Sequence, residues 1–287
     1  MSRVDVRKTH KLFIGGAFPR SESGRTYEVT DSKEQFLANM ALASRKDARD
    51  AVLAARSAVA KWSAATAYNR GQVLYRIAEV MEGRREQFIS EVSDSEGVSS
   101  RKAGAHVDAA IDRWVWYAGW ADKYAQVIGN TNPVAGPFFN FSVPEPTGVV
   151  AAVAPQDASV LGLVSVVAPI IVTGNAVIVM PSSSRPIPAI TLAECLATSD
   201  VPAGVVNILT GAPAEVMPWL AEHADVNALD LTGIVDEGVA ADLERSAAGT
   251  VKRVRGAAPH ADWHATPSLS RIRAFVEVKT VWHPMGV

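Results

Sequence analysis

From Ser44 onward the apolar positions return at helical intervals. Ala48, Ala51, Val52, Ala55, Val59 and Trp62 fall on one face, as an amphipathic helix requires. Ser44, with Asp47 three residues on, supplies a capping box at its start. A second helix is predicted from about Asn69 to Ser93, with Val73, Leu74, Ile77, Val80, Met81, Phe88 and Val92 on its apolar face. A third covers about Arg101 to Ala125 and carries Trp114, Trp116, Tyr117 and Trp120, which read as core or interface packing because aromatics carry much of the buried area. Ahead of these helices, Leu12–Ile14, the turn Gly15-Gly16 and Thr26–Val29 predict a hairpin.

Beyond residue 149 the pattern changes to short apolar runs alternating with helical ones. Strands are predicted at Val149–Ala154, Ala176–Met180, Gly204–Leu209, Val226–Leu231 and Val251–Val254. Helices are predicted at Leu161–Val172, Ile187–Ser199, Ala214–His223 and Gly238–Ala248. Such alternation defines an α/β protein, a parallel sheet with helices on both faces. Its functional crevice is expected at the carboxyl ends of the strands. Between the two regions, residues 130–148 hold four prolines and three phenylalanines, which suits an extended projecting arm better than a central strand. Along it Phe139, Phe141 and Val143 alternate with Phe138, Asn140 and Ser142, so the first three share one apolar face.

Composition narrows the function. A net charge of −2 carries no nucleic-acid footprint, and the apolar stretch Val160–Val172 is too short for a membrane span. The N-terminal stretch has no apolar signal core, and a single cysteine, Cys195, fits a reducing compartment, so a cytoplasmic location is expected. Cys195 lies at helical spacing with Leu192 and Leu196 and reads as an inert core thiol. His260 and His264 sit in a proline-flanked loop, and two ligands without a third make no metal site.

Several blocks in order then resemble the NAD(P)-dependent aldehyde dehydrogenases: AGWADKYAQVIG, PEPTGVVAAVAPQD, APIIVTGNAVIVMPS, VPAGVVNILTG, DVNALDLTG and, near the end, FVEVKTVW. The resemblance implies a Rossmann-like nucleotide-binding fold plus a small antiparallel bridging arm used for association. It also shows departures. The family's oxyanion-holding Asn falls on Asp157, and a carboxylate cannot donate a hydrogen bond unless protonated. The Lys and Glu that hold the adenosine ribose fall on Met180 and Ser183, beside Ser182. Gly233 and Gly238 survive in the segment that faces the pyrophosphate, but Asp236 and Glu237 now occupy the helix start. The general-base Glu falls on Ala257, and fewer than twenty residues follow Ala258 before the closing strand, where the family inserts the domain bearing its nucleophilic Cys.

The resulting expectation is a nucleotide-binding-type α/β domain over 1–128 and 149–257, a bridging or oligomerisation arm over 129–148 and 272–287, and a short connection at 258–271. Asp157 and Ala257 are vacated catalytic positions. Ser182, Ser183, Gly233 and Gly238 are the remaining cofactor candidates, with no cofactor expected and NAD or NADP the group the family would bring. Phe139, Phe141, Val143, Phe275, Val278, Val281 and Trp282 are the association candidates. The expected role is a non-catalytic structural or regulatory subunit, a homo-oligomer or a hetero-oligomer with a full-length aldehyde dehydrogenase. The alternative is an NAD(P)-binding oxidoreductase with residual or altered activity on aldehydes. No nucleic-acid or membrane partner is expected.

Overall fold

A computed structural model describes residues 7–286; the first six positions, part of the expected N-terminal segment, and Val287 lie outside the described residues. The chain opens with three short strands, β1 (Thr9–His10), β2 (Thr26–Thr30) and β3 (Phe36–Ala41), in the order β1-β3-β2. Here the expected hairpin is corrected. Thr26–Thr30 pairs antiparallel with β3, not with Leu12–Ile14. Phe13 instead bridges Ile208 and joins the edge of the main sheet, which covers backbone groups an edge strand would leave open.

Four helices follow: α1 (Arg45–Ala64), α2 (Ala67–Gly83), α3 (Arg85–Glu96) and α4 (Ser100–Trp120), with a short α5 (Tyr124–Ile128). The capping box of α1 is present: Ser44 N donates to Asp47 Oδ2 at 2.7 Å and Asp47 N donates to Ser44 Oγ at 3.3 Å. The single helix expected over 69–93 is two helices, because Arg84 leaves the helical conformation at φ −115°, ψ 15°. Both halves keep the apolar face, which is why periodicity alone did not show the break.

The arm is β4 (Asn130–Asn132) with β5 (Phe138–Pro146). The α/β part then runs β6 (Val149–Val153), α6 (Leu161–Val172), β7 (Ala176–Met180), α7 (Ile187–Ala197), β8 (Val206–Ile208), α8 (Pro213–Glu222), β9 (Ala228–Asp230), α9 (Glu237–Ala248) and β10 (Arg253–Arg255). Its five strands are all parallel, in the order β10-β9-β6-β7-β8. Side chains of β6 alternate between two cores: Val150 and Ala152 face the side of α2, α4 and α6, and Val149, Ala151 and Val153 face α1, α8 and α9. Every residue of α6 is buried. Among the described residues no helix is long and apolar enough to cross a membrane. At the α6–β7 turn Gly174 takes φ +95°, as its position between helix and strand anticipates.

A short α10 (Ser270–Ala274) leads into β11 (Val276–Pro284), which pairs antiparallel with the whole of β5, from Val276↔Pro146 to Pro284↔Phe138. The third sheet is thus ordered β11-β5-β4.

On β1, burial pushes His10 down to about 4 from 6.5, with the neighbouring Lys8 charge acting the same way and Glu194 opposing both. His10 is therefore neutral when folded and protonates more readily when unfolded. Its contribution is complete above about pH 6.5 and is lost as the pH falls toward 4. A His10→Gln variant is expected to lose part of the fall in stability across that window, by roughly 1–2 kcal/mol in urea unfolding at the two pH values.

Candidate functional site

The strand ends place the expected cofactor residues first. After β7, Ser182 Oγ donates to the Gln156 carbonyl at 2.8 Å, and Ser183 donates through N (3.0 Å) and Oγ (3.2 Å) to Gln156 Oε1. Both serines are thus occupied in fastening the loop after β6. Met180 is fully buried in the core on the α1 side. Ser183 borders a cavity of about 320 Å³ whose charged lining is Arg185 against Glu28, Asp31 and Glu96, an acid-rich wall unsuited to a phosphate.

At the start of α9, Asp236 Oδ1 accepts from Val239 N at 3.0 Å, and Glu237 follows in the first turn. Acids at a helix N-terminus satisfy its free N–H groups and its positive dipole end. The field a diphosphate would use is therefore spent on the chain's own carboxylates. Gly233 is needed for packing: a Cβ there would overlap the carbonyl of Ala154. Gly238 is exposed.

The two positions expected to be vacated both lie at the surface. Asp157 is exposed, and its backbone carbonyl accepts from Arg185 at 2.7 Å. Ala257 is exposed, and the following amide, Ala258 N, donates to the Thr232 carbonyl at 3.1 Å. Cys195 is fully buried, and burial pushes its thiol up to about 11, which removes the thiolate a nucleophile needs. The ring of His264 lies 5.0 Å from that of His106. Among the described residues no group of three metal-ligating side chains forms.

The built feature at these strand ends is one that sequence reasoning missed. Asp230, the last residue of β9, is completely buried, and its Oδ2 meets Arg271 Nη1 of α10 at 3.1 Å. Its Oδ1 accepts from Thr232 N at 3.0 Å and from the Thr232 hydroxyl, while Arg271 Nη2 donates to Thr232 Oγ1 at 3.2 Å. The Arg271 guanidinium lies 5.1 Å above the ring of Trp263, and Arg113 of α4 donates to the Trp263 and Ala265 carbonyls at 2.7 and 3.2 Å. The connection 258–271 is therefore a strap anchored over the ends of β9 and β10 at Ala258, Trp263 and Arg271. The lone tryptophan in APHADWHATP was the available signal, since an indole in a polar loop must find a place to bury.

The seven association candidates separate into three groups. Register places Phe139, Phe141 and Val143 on the same face of the arm as Val281, opposite Phe141. Val278 and Trp282 pair with Pro144 and Asn140 on the other face, where Trp282 stacks edge-on to Phe138 at 5.7 Å. Phe275 is not on the arm: it is fully buried in the main core, one residue before β11 begins. Fully buried, it cannot meet a neighbouring chain.

A five-stranded parallel sheet with its crevice at the carboxyl ends, joined to a three-stranded arm, defines a nucleotide-binding-type α/β unit with an appended bridging sheet. Residues 18–256 match the model of the aldehyde dehydrogenase family. The chain is 32% identical over 246 residues to cytosolic 10-formyltetrahydrofolate dehydrogenase of Pongo abelii, covering 83% of this chain and 27% of that protein. It is 31% identical over 261 residues to "Aldehyde dehydrogenase, cytosolic 1" of Elephantulus edwardii, covering 88% and 51%. An aldehyde dehydrogenase from Bacillus cereus, solved as its NAD+ complex, superposes with a TM-score of 0.81 at 27% identity over 86% of this chain and 50% of that one. The chain belongs to the aldehyde dehydrogenase family. It spans between about a quarter and a half of the length of these relatives. The nicotinamide dinucleotide that the family implies does not fit the residues present at the β7 and α9 ends, because the serines are engaged by Gln156 and the helix start by Asp236.

Proposed function

We propose that this chain is a catalytically inactive family member that acts as a structural or regulatory subunit, assembling with itself or with a full-length aldehyde dehydrogenase. The observation that carries the reading is the strap. Residues 256–275 alone join β10 to β11, and they fill the strand ends with the Asp230–Arg271 pair and Trp263. The only cysteine of these 287 residues is a buried core thiol, and Ala257 carries no group that can exchange a proton. The arm, by contrast, keeps Phe139 and Val143 exposed on one face and Val278 and Trp282 on the other. Exposed apolar strands of this kind are hazards unless they are paired.

The test has two parts. The purified chain, given NAD or NADP with a short aliphatic and an aromatic aldehyde, is expected to form no reduced cofactor, and millimolar NAD or NADP is expected to leave its Tm unchanged. Native mass measurement at micromolar concentration, with the chain expressed alone and with its genomic neighbours, is expected to show an assembly. Cofactor reduction would favour the oxidoreductase alternative, and a stable monomer under both conditions would remove the subunit role.

A further inference from the structure

The charges beneath the strap do not balance. In the parallel ladder of β9 and β10, Asp230 is the register partner of Arg255, so both side chains leave the same face of the sheet. Asp230 is also partnered with Ala152 of β6, whose side chain lies in the core on the α4 and α6 side. Arg271 reaches Asp230 from α10, and Arg113 arrives from α4 to hold the carbonyls of Trp263 and Ala265. Trp263 underlies Arg271. One guanidinium thus pairs with the carboxylate, a second stands at its register position and a third holds the neighbouring strap, and a guanidinium stays charged in a protein. Among the described residues, no other carboxylate forms an ion pair with any of the three. Arg113, buried, and Arg255, half-buried, are left without an ion-pair partner among those residues.

Two hydrogen-bond donors there are also unmet. Arg255 Nε is buried without a partner, and so is Trp263 Nε1, on an indole only 8% exposed. Buried donors in native proteins are almost always satisfied, so each such orphan asks for a missing acceptor. The field acts in the same sense: burial, with the charge of Arg271 adding to it, holds Arg113 and Arg255 below the ordinary arginine range. An acceptor that brings negative charge would relieve both the orphan donors and the surplus. Gly256 and Ala257, next in the chain after Arg255, are exposed, and the nearest group to a Cβ at Gly256 is Glu244 Oε1 at 3.7 Å.

We propose that Arg113, Arg255 and Arg271, with Trp263, form a binding site for a small dianionic oxyanion, a dicarboxylate or a phosphate. The planar fork of a guanidinium matches the paired oxygens of either group. Two charges on the ligand match the two guanidiniums that form no ion pair among the described residues. The site makes no demand on catalysis or on assembly, so it stands or falls apart from the subunit role.

The test is thermal unfolding of the full chain, titrated separately with sodium malonate, inorganic phosphate and sodium acetate, with ionic strength held constant by sodium chloride. Malonate or phosphate is expected to raise Tm saturably, by roughly 3 °C or more at a hundredfold excess over Kd. Calorimetry is expected to give one site per chain, and the arm that responds identifies the source of the oxyanion. Arg255→Gln, which removes a guanidinium whose Nε makes no bond in the fold, is expected to abolish the rise. Ala257→Glu, at an exposed position, is expected to weaken binding at least tenfold by setting a carboxylate beside the site. Arg245→Gln, on the exposed face of α9, is expected to change nothing. No saturable rise from either dianion, an equal rise from acetate, a rise that survives both site variants, or a loss in Arg245→Gln would each overturn the proposal.

Discussion

Replacing Asp230 by alanine is expected to destabilise the chain by about 3–5 kcal/mol, the cost of leaving a buried partner charge uncompensated. The size follows from what the carboxylate holds. It accepts from Arg271 Nη1, from the Thr232 amide and from the Thr232 hydroxyl, and it is wholly removed from solvent. Without it, Arg271 remains buried with its charge, and a Thr232 backbone donor loses its acceptor. Arg271→Ala is expected to fall in the same range for the converse reason. The pair Asp230→Leu with Arg271→Met is expected to recover much of the loss, because an apolar pair of similar volume needs no desolvation of charge. Midpoints of urea unfolding measure all three. A loss below about 1 kcal/mol in either single variant would show that solvent reaches the pair and that the strap is held by its apolar contacts alone.

That prediction rests on a pairing the sequence did not display. Asp230 stands in DVNALDLTG, a block that announces a strand and a turn, and Arg271 lies 41 residues further on. Strand and helix signals are local, so Val149–Val153 and Ala176–Met180, buried at every position, could be read directly as central parallel strands. The whole alternating order from β6 to β10 was legible for the same reason. The capping box at Ser44 and the positive φ at Gly174 were equally local. Charge pairing across a fold carries no such periodic mark.

The misreadings have the same origin. Phe36–Ala41 carries no clean alternation, so β3 was not anticipated and β2 was given the wrong partner. Phe275 continues the apolar pattern of β11, yet its place is fixed by α10, whose last turn rotates it into the core. Of the site, the sequence marked Asp157 and Ala257 as departures from the family's pattern but gave no mark of the Asp230–Arg271 pair. The grouping of Arg113, Arg255, Arg271 and Trp263, far apart in the chain, is visible only in the fold.

Asn175 carries the second large effect, because it joins the arm to the sheet. Its side chain is completely buried and uses both ends: Oδ1 accepts from Gly148 N at 2.7 Å, and Nδ2 donates to Thr173 Oγ1 at 2.7 Å and to the Phe275 carbonyl at 2.8 Å. One amide thus ties the start of β6, the turn after α6 and the root of β11. Asn175→Ala strands the Gly148 donor and takes one acceptor bond from Phe275 O, which still receives Thr147 N at 3.3 Å. At about 1–3 kcal/mol for each buried group left unpaired, a loss of roughly 3 kcal/mol is expected. Asn175→Asp keeps the acceptor but removes both donations and buries a carboxylate, so it is expected to be no milder. The loss is also expected to have a location. Hydrogen exchange at Thr147 and along the first residues of β11 is expected to speed up, while amides in the middle of β6 and β7 keep their protection, because the arm then opens locally without global unfolding. Uniform acceleration across the whole sheet would mean that Asn175 is a core residue like its neighbours, and that the arm has no separate fastening.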